Sequence, residues 1–233
     1  MVYGAGLRKT VDSDIVRRTS VRGSLWGFSW MPLHDLALQF RVWLWGINPP
    51  IWRRIVLSPD LNFAELHEVL QACFGWQNSH MHQFTVGGLI LGAPEFEDGG
   101  LGQRRVLDAA DLALRDLDFH RIKNPYFLYE YDFGDGWVHQ LDLETHVRLD
   151  NPEKKAHLLD GERSGPPEDS GGPHSYDEFV ASLNDKDHPE HRSNRKWVGK
   201  SFNPEAFDRT KSQKSVDLAL RKARGSYSFR SEG

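Results

Sequence analysis

Cysteine is nearly missing: the 233 residues contain one, Cys73. A single thiol excludes an intramolecular disulfide and any multi-cysteine zinc site, and it predicts a reducing compartment. No apolar run approaches the ~20 residues of a membrane span, and the N-terminus lacks the apolar stretch of a signal peptide. A cytoplasmic protein without a membrane partner is therefore expected. Several catalytic signatures are missing too. There is no Gly-rich phosphate loop, no nucleophile elbow and no kinase or zincin motif.

What is present is an aromatic-rich chain with eight Trp and thirteen Phe, 39% hydrophobic and 27% charged. That is enough apolar mass for a core and excludes wholesale disorder. The net charge of −4 hides an asymmetry. Residues 1–91 carry +2, residues 92–191 carry −13, and residues 192–233 carry +7, with eleven Lys/Arg against four Asp/Glu. A basic C-terminal tail can reach phosphates, so nucleic acid is a candidate partner there, while the acidic middle would repel a duplex.

Periodicity organises the chain into three parts: a flexible extension over residues 1–30, a core over 31–210, and a basic helix and tail over 211–233. Alternation becomes sustained after Met31, which makes Met31 a candidate natural start. Leu36, Leu38, Phe40, Val42 and Leu44 occupy every second position, the period of a strand. Ile51–Leu57 reads as a second strand. Asn62 with Glu65 forms a capping box ahead of the stripe Leu66, Val69, Leu70 and Cys73, and Gly75 stops that helix. Met81–Val86, Gly87-Gly88 and Leu89–Leu91 make a hairpin, and Asp108–Leu117 is expected as a short helix. Tyr126–Tyr131 and Trp137–Glu144 read as strands around a turn. A polar linker from Asp150 leads into a Gly/Pro loop ending at Pro173, and Ser175 with Glu178 caps another helix. Asn203-Pro204 reads as a cap with proline in the first turn, and a last helix runs from Val216 to Arg224. Hairpin-linked strands interleaved with helices predict α+β: a single compact domain with a mixed or antiparallel sheet and helices packed against it.

Five clusters carry candidate chemistry. His80 and His82, two apart on a strand, point to one face and can offer two imidazoles to a divalent metal such as Zn or Mn. His139 and His67 are candidates to complete that set, and both also suit a wet polar groove. Asp132 and Asp135 lie in a tight glycine turn just before Trp137, where carboxylates can bind a cation, act as an acid/base pair or bond their own backbone. Glu168 and Asp169 follow two prolines that restrict the backbone presenting them. His188 opens a His-Pro-Glu-His turn that can supply ligands. Trp52 precedes Arg53 and Arg54, which point to opposite faces of a strand, so at most one joins a given groove. Turn formation, core packing and ion pairing account for the same residue types without chemistry. The spacing predicts that His82, Asp135 and His139 line one pocket, with at least two imidazoles within about 5 Å.

Read together, these stretches resemble the plasmid pRiA4b ORF-3-like family. Gly46–Ile55, Leu66-His67, Gly75-Trp76 and His80–Phe84 resemble its opening, and Tyr129–His139 its middle. Gly161-Glu162, Pro166–Pro173, His188–His191, Trp197–Gly199 and Phe202–Glu205 resemble its end, so the likeness spans residues 34–210. The resemblance implies a compact α+β domain of bacterial and archaeal plasmids and transposable elements. No catalytic residue transfers with it. Cysteines frequent in relatives fall near Leu158, Gly165 and Ser170 here, so a thiolate metal site would be lost while a His/carboxylate site would survive. Two functions of different class follow. One is an accessory module that binds nucleic acid or a protein partner through a polar groove. The other is a metal-dependent hydrolase, on phosphoesters for example, built on His80, His82, His139 and nearby carboxylates.

Overall fold

The computed structural model describes residues 16–18, 36–93, 106–119, 123–149, 151 and 153–228. Strands β1 (Val16–Arg18), β2 (Ala37–Leu44) and β3 (Trp52–Leu57) precede helix α1 (Phe63–Phe74). Then come β4 (His82–Val86), β5 (Leu89–Gly92), β6 (Val106–Asp108), β7 (Tyr126–Tyr131), β8 (Trp137–Leu149) and β9 (Ala156–Glu162). Helices α2 (Gly172–Asn184), α3 (His191–Val198) and α4 (Arg209–Ser228) close the chain. The strands form one sheet in the order β6-β5-β4-β7-β8-β2-β3-β9, with β1 paired to the far end of β8. Every pairing is antiparallel except β5 with β6. This is the α+β class, in a single domain.

The alternation of β2 sends Leu38, Phe40, Val42 and Leu44 to the face beneath α1, where all four are buried. Phe63 meets Phe84 at 5.0 Å and Phe127 at 5.6 Å, both edge-on, and Phe40 meets Phe127 at 5.5 Å. The α1 capping box forms as read: Glu65 N donates to Asn62 Oδ1 at 2.8 Å and Asn62 N to Glu65 Oε2 at 3.2 Å. Gly75 ends the helix at φ 83°, a left-handed conformation that suits glycine.

Some segments differ from the sequence reading. Asp108–Leu117 is not a helix but the end of β6 followed by a single 3-10 turn, Leu114–Asp116. Its carbonyls serve α1 instead: Phe63 N donates to Leu112 O and Ala64 N to Ala109 O, satisfying first-turn amides. The linker after Asp150 contains β9, whose Ala156 and Leu158 are buried against β3 and α4. Helix α2 begins at Gly172, capped by Gly171 at φ 85°, so Ser175 lies inside it and the Ser175/Glu178 box is unused. Helix α3 had no sequence signal. Asn203-Pro204 forms a turn, with Asn203 Oδ1 accepting from Glu205 N, and the last helix, expected over Val216–Arg224, is longer at both ends, α4 running from Arg209 to Ser228. Helix α4 is not a loose tail, since Val216, Leu220 and Ala223 are buried and it lies on α1 and β9. Of the extension over residues 1–30, Val16–Arg18 pairs with β8, and the remainder lies outside the described residues, as do 31–35.

Candidate functional site

Toward the C-terminal end of α1 the inner face of the sheet changes from hydrocarbon to imidazole and phenol. Register places His82 opposite Tyr131, Phe84 opposite Tyr129, and Tyr129 opposite His139, so these side chains share the face beneath α1. The helix answers with His67 and Gln71. His67 Nδ1 lies 2.7 Å from the Tyr129 hydroxyl and its Nε2 2.8 Å from Asn78 Oδ1, while Gln71 Nε2 donates to the same hydroxyl at 3.0 Å. The His67 and His82 rings stack with centroids 3.5 Å apart. Burial, with His82 alongside, lowers the His67 pKa to about 3, and burial lowers that of His82 to about 4. Both rings are neutral at pH 7. Burial also raises the Tyr129 and Tyr131 hydroxyls above their ordinary range, so both are donors and neither is a phenolate.

A second knot lies beside the first. The Tyr131 hydroxyl donates to Glu168 Oε1 and accepts from Ser79 N at 3.0 Å. Glu168 also accepts from Gln77 N at 3.1 Å and from Ser79 Oγ at 3.2 Å. The loop carrying Glu168 is fixed from behind. Trp76 Nε1 donates to Pro166 O at 2.7 Å, and a Cβ on Gly165 would sit 2.0 Å from Phe74 O, so only glycine allows this approach. Next to the knot opens a cleft of about 470 Å³, lined by residues that include Ser79, His80, Met81, His82, Asp132 and Phe133. At its rim His80 Nε2 lies 3.0 Å from Asp169 Oδ1 and 3.5 Å from Asp132 Oδ2. Asn78, Asp132 and Asp169 all have positive φ, 59°, 55° and 60°, conformations that Asn and Asp tolerate better than other side chains.

The remaining sequence candidates are dispersed. His139 is wholly buried among Phe74, Trp76 and Tyr129, with ring centroids at 4.6, 5.1 and 5.2 Å. Neither of its nitrogens makes a well-formed hydrogen bond, and burial lowers its pKa to about 3, opposed in part by an interaction of the ring with the Tyr129 main chain. Asp135 accepts from Gly171 N at 3.0 Å and so anchors the start of α2. The pocket expected from His82, Asp135 and His139 is thus not assembled. The imidazoles that do meet are His67 and His82. Trp137 is core, edge-on to Tyr176. Arg53 and Arg54 face opposite sides, as their parity requires. Arg53, 2% exposed, lies between Phe74 and Phe207 and donates to Cys73 O at the C-terminal end of α1, to Trp52 O and to Glu162 O. Arg54 forms a two-pronged pair with Glu144 on the outer face, and Trp52 Nε1 donates to Glu162. His188 lies between α2 and α3, 2.9 Å from Glu178 Oε1. Cys73 is core, its thiol pKa pushed up to about 12 by burial.

Sequence reasoning missed Tyr129, Tyr131, Gln71, Asn78 and Ser79. The two tyrosines continue the parity of Phe127 and read as core. Only packing gives them a polar purpose, by bringing His67 and Gln71 of α1 to the Tyr129 hydroxyl and Ser79 and Glu168 to that of Tyr131.

A second surface lies on α4. Opposite its buried stripe, Lys211, Lys214 and Arg221 are exposed, with Leu218 between them at 46%. Asp217 is the only acidic residue of the helix, and it is engaged by Lys154 at 3.3 Å and Gln213 at 2.8 Å. No described helix is long and apolar enough to cross a membrane.

A single-domain α+β protein with one mostly antiparallel sheet and a His/Tyr/Glu knot beside an Asp-lined cleft is the class these features define. The sequence profile of the plasmid pRiA4b ORF-3-like protein family matches residues 36–211, and the chain belongs to that family. It is 36% identical over 192 residues to an uncharacterized protein, y4hQ, of Sinorhizobium fredii, covering 81% of this chain and 95% of that one. Its fold is similar to the crystal structure of MM3350 from Methanosarcina mazei, titled a protein of unknown function. That match has a TM-score of 0.65 at 30% identity and covers 75% of this chain and 96% of the other.

Proposed function

We propose that this protein is an accessory binding module that engages nucleic acid, with the outer face of α4 making the phosphate contacts. The observation that carries this reading is the two-sidedness of α4. Its apolar stripe is consumed by the fold, and the opposite side presents Lys211, Lys214 and Arg221 while the single acidic group is tied to Lys154. Cations aligned on a supported helix neutralise phosphates at little ordering cost, and affinity from such contacts is electrostatic and insensitive to base sequence. The charge of −13 over residues 92–191 disfavours docking by the middle of the chain and so orients the encounter.

Fluorescence anisotropy on a short labelled duplex, titrated with salt, tests this. Three phosphate contacts predict a slope of log K against log[salt] of about −3. Reversing Lys211→Glu and Lys214→Glu together should weaken binding and flatten the slope while the melting temperature holds. Deleting α4 would not serve, because it would strip cover from α1. Binding indifferent to salt and to both reversals, or no binding at low salt, refutes the reading. The metal-dependent hydrolase reading turns on whether the cleft holds a cation.

A further inference from the structure

We propose that the cleft rim is a divalent-cation site whose protein ligands are His80 Nε2, Asp132 Oδ2 and Asp169 Oδ1. One donor atom from each of these residues lies within 4.8 Å of the other two. A cation about 2.1 Å from each donor separates neighbouring ligand atoms by ~3.0 Å in octahedral and ~3.4 Å in tetrahedral geometry. The His80–Asp169 and His80–Asp132 separations are 3.0 and 3.5 Å. His80 Nε2 is shielded from solvent, and although two carboxylates approach it, neither makes a hydrogen bond of proper geometry with it. Such a nitrogen, facing two anionic oxygens without bonding them, is disposed as a metal ligand.

The three ligands come from separate segments, and the residue before each one is locked to the others. Ser79 precedes His80, Tyr131 precedes Asp132, and Glu168 precedes Asp169. Ser79 N donates to the Tyr131 hydroxyl, that hydroxyl donates to Glu168, and Ser79 Oγ donates to Glu168 at 3.2 Å. The hydrogen-bonded knot therefore sets the spacing of the ligand triad and lowers the cost of assembling it. Asp132 is held further by its own turn. Its Oδ1 accepts from Gly134 N at 3.0 Å and Asp135 N at 3.2 Å, and its backbone N donates to Met81 O at 2.9 Å, leaving Oδ2 for the ion. One imidazole and two carboxylates form a nitrogen/oxygen set suited to Mn²⁺ or Zn²⁺ and unsuited to thiophilic ions. Three protein ligands leave coordination positions open toward the cleft, where water or an oxyanion such as phosphate can bind.

The inference is independent of nucleic-acid binding by α4. Full-length protein stripped with chelator is titrated calorimetrically with Mn²⁺ and with Zn²⁺. One ion per chain is expected, and Asp132→Asn and Asp169→Asn should each weaken binding by roughly 100-fold, given that outer-sphere changes alone cost 10–100-fold. Both substitutions preserve the side-chain oxygen and the tolerance of positive φ, and a cooperative melt confirms folding. The wild-type protein supplies a readout without mutation, since bound Mn²⁺ should broaden the His80 ring resonances more than those of His188 and His191. Absence of stoichiometric binding overturns the site, leaving the triad as an ion pair. Affinity unchanged in both variants, or broadening centred on His188 and His191, overturns it equally.

Discussion

Replacing His139 with leucine tests the electrostatics of the buried face most sharply. The ring is 0% exposed among Phe74, Trp76 and Tyr129, and its two nitrogens lack well-formed hydrogen bonds. Leucine has nearly the same volume and no polar atom to desolvate, so His139→Leu near pH 7.5 should be neutral or stabilising by about 1 kcal/mol. Acid changes the comparison. Burial holds the folded pKa at about 3 against an ordinary value of 6.5. The native state therefore keeps the ring neutral while the unfolded state takes up a proton, so stability is intact above pH 6.5 and declines as pH falls from there toward 3. One such histidine removes about 2 kcal/mol between pH 7.5 and 5. His139→Leu should lose that much less than wild type over the same interval. Urea unfolding followed by tryptophan fluorescence at several pH values measures both quantities. A variant ~2 kcal/mol less stable near neutrality, with the wild-type pH slope retained, would refute the reasoning and show that the Tyr129 main chain is a full hydrogen-bond partner of the ring.

Two further substitutions probe the frame around the cleft. Gly172→Ala would place a Cβ 2.0 Å from Asp135 O at φ 76°, so it should cost more than about 3 kcal/mol, whereas Gly136→Ala, with nothing within 4 Å, should cost only about 1 kcal/mol for its φ of 72°; thermal melts of the pair separate collision from backbone strain. Asn62→Ala removes one half of the α1 capping box and should lower stability by about 1 kcal/mol in denaturant titration.

Legibility in the sequence followed the range of the interactions. The strands Ala37–Leu44 and Tyr126–Tyr131 and the cap at Asn62 were readable because alternation and capping are local. The helix expected over Asp108–Leu117 failed because its carbonyls are claimed by the first turn of α1, some fifty residues earlier, which no local pattern announces. β9 was hidden because Asp160, Gly161 and Glu162 interrupt its alternation at the sheet edge. At the site, the split between Arg53 and Arg54 was legible, but the strand parity read for His80 and His82 does not hold, since β4 starts at His82 and His80 lies in the loop before it, at Asp132 and Asp169. The exchange of partners was not legible. His67, not His139, is the ring that meets His82, since a helix residue and a strand residue become neighbours only through packing.

Because α1 rests on two different substrates, its two stripes answer to different perturbations. Phe63, Leu66, Val69, Leu70 and Cys73 form a stripe in the hydrophobic core with Phe40, Phe84 and Phe127, a contact that weakens on cooling and is indifferent to acid. On the neighbouring stripe, His67 and Gln71 lie on Tyr129, and that contact depends on neutral rings and intact hydrogen bonds. The helix is thus a bar clamped by two unlike fastenings. Cold would slacken the apolar stripe, and acid the stripe of His67 and Gln71, through which the helix holds Asn78.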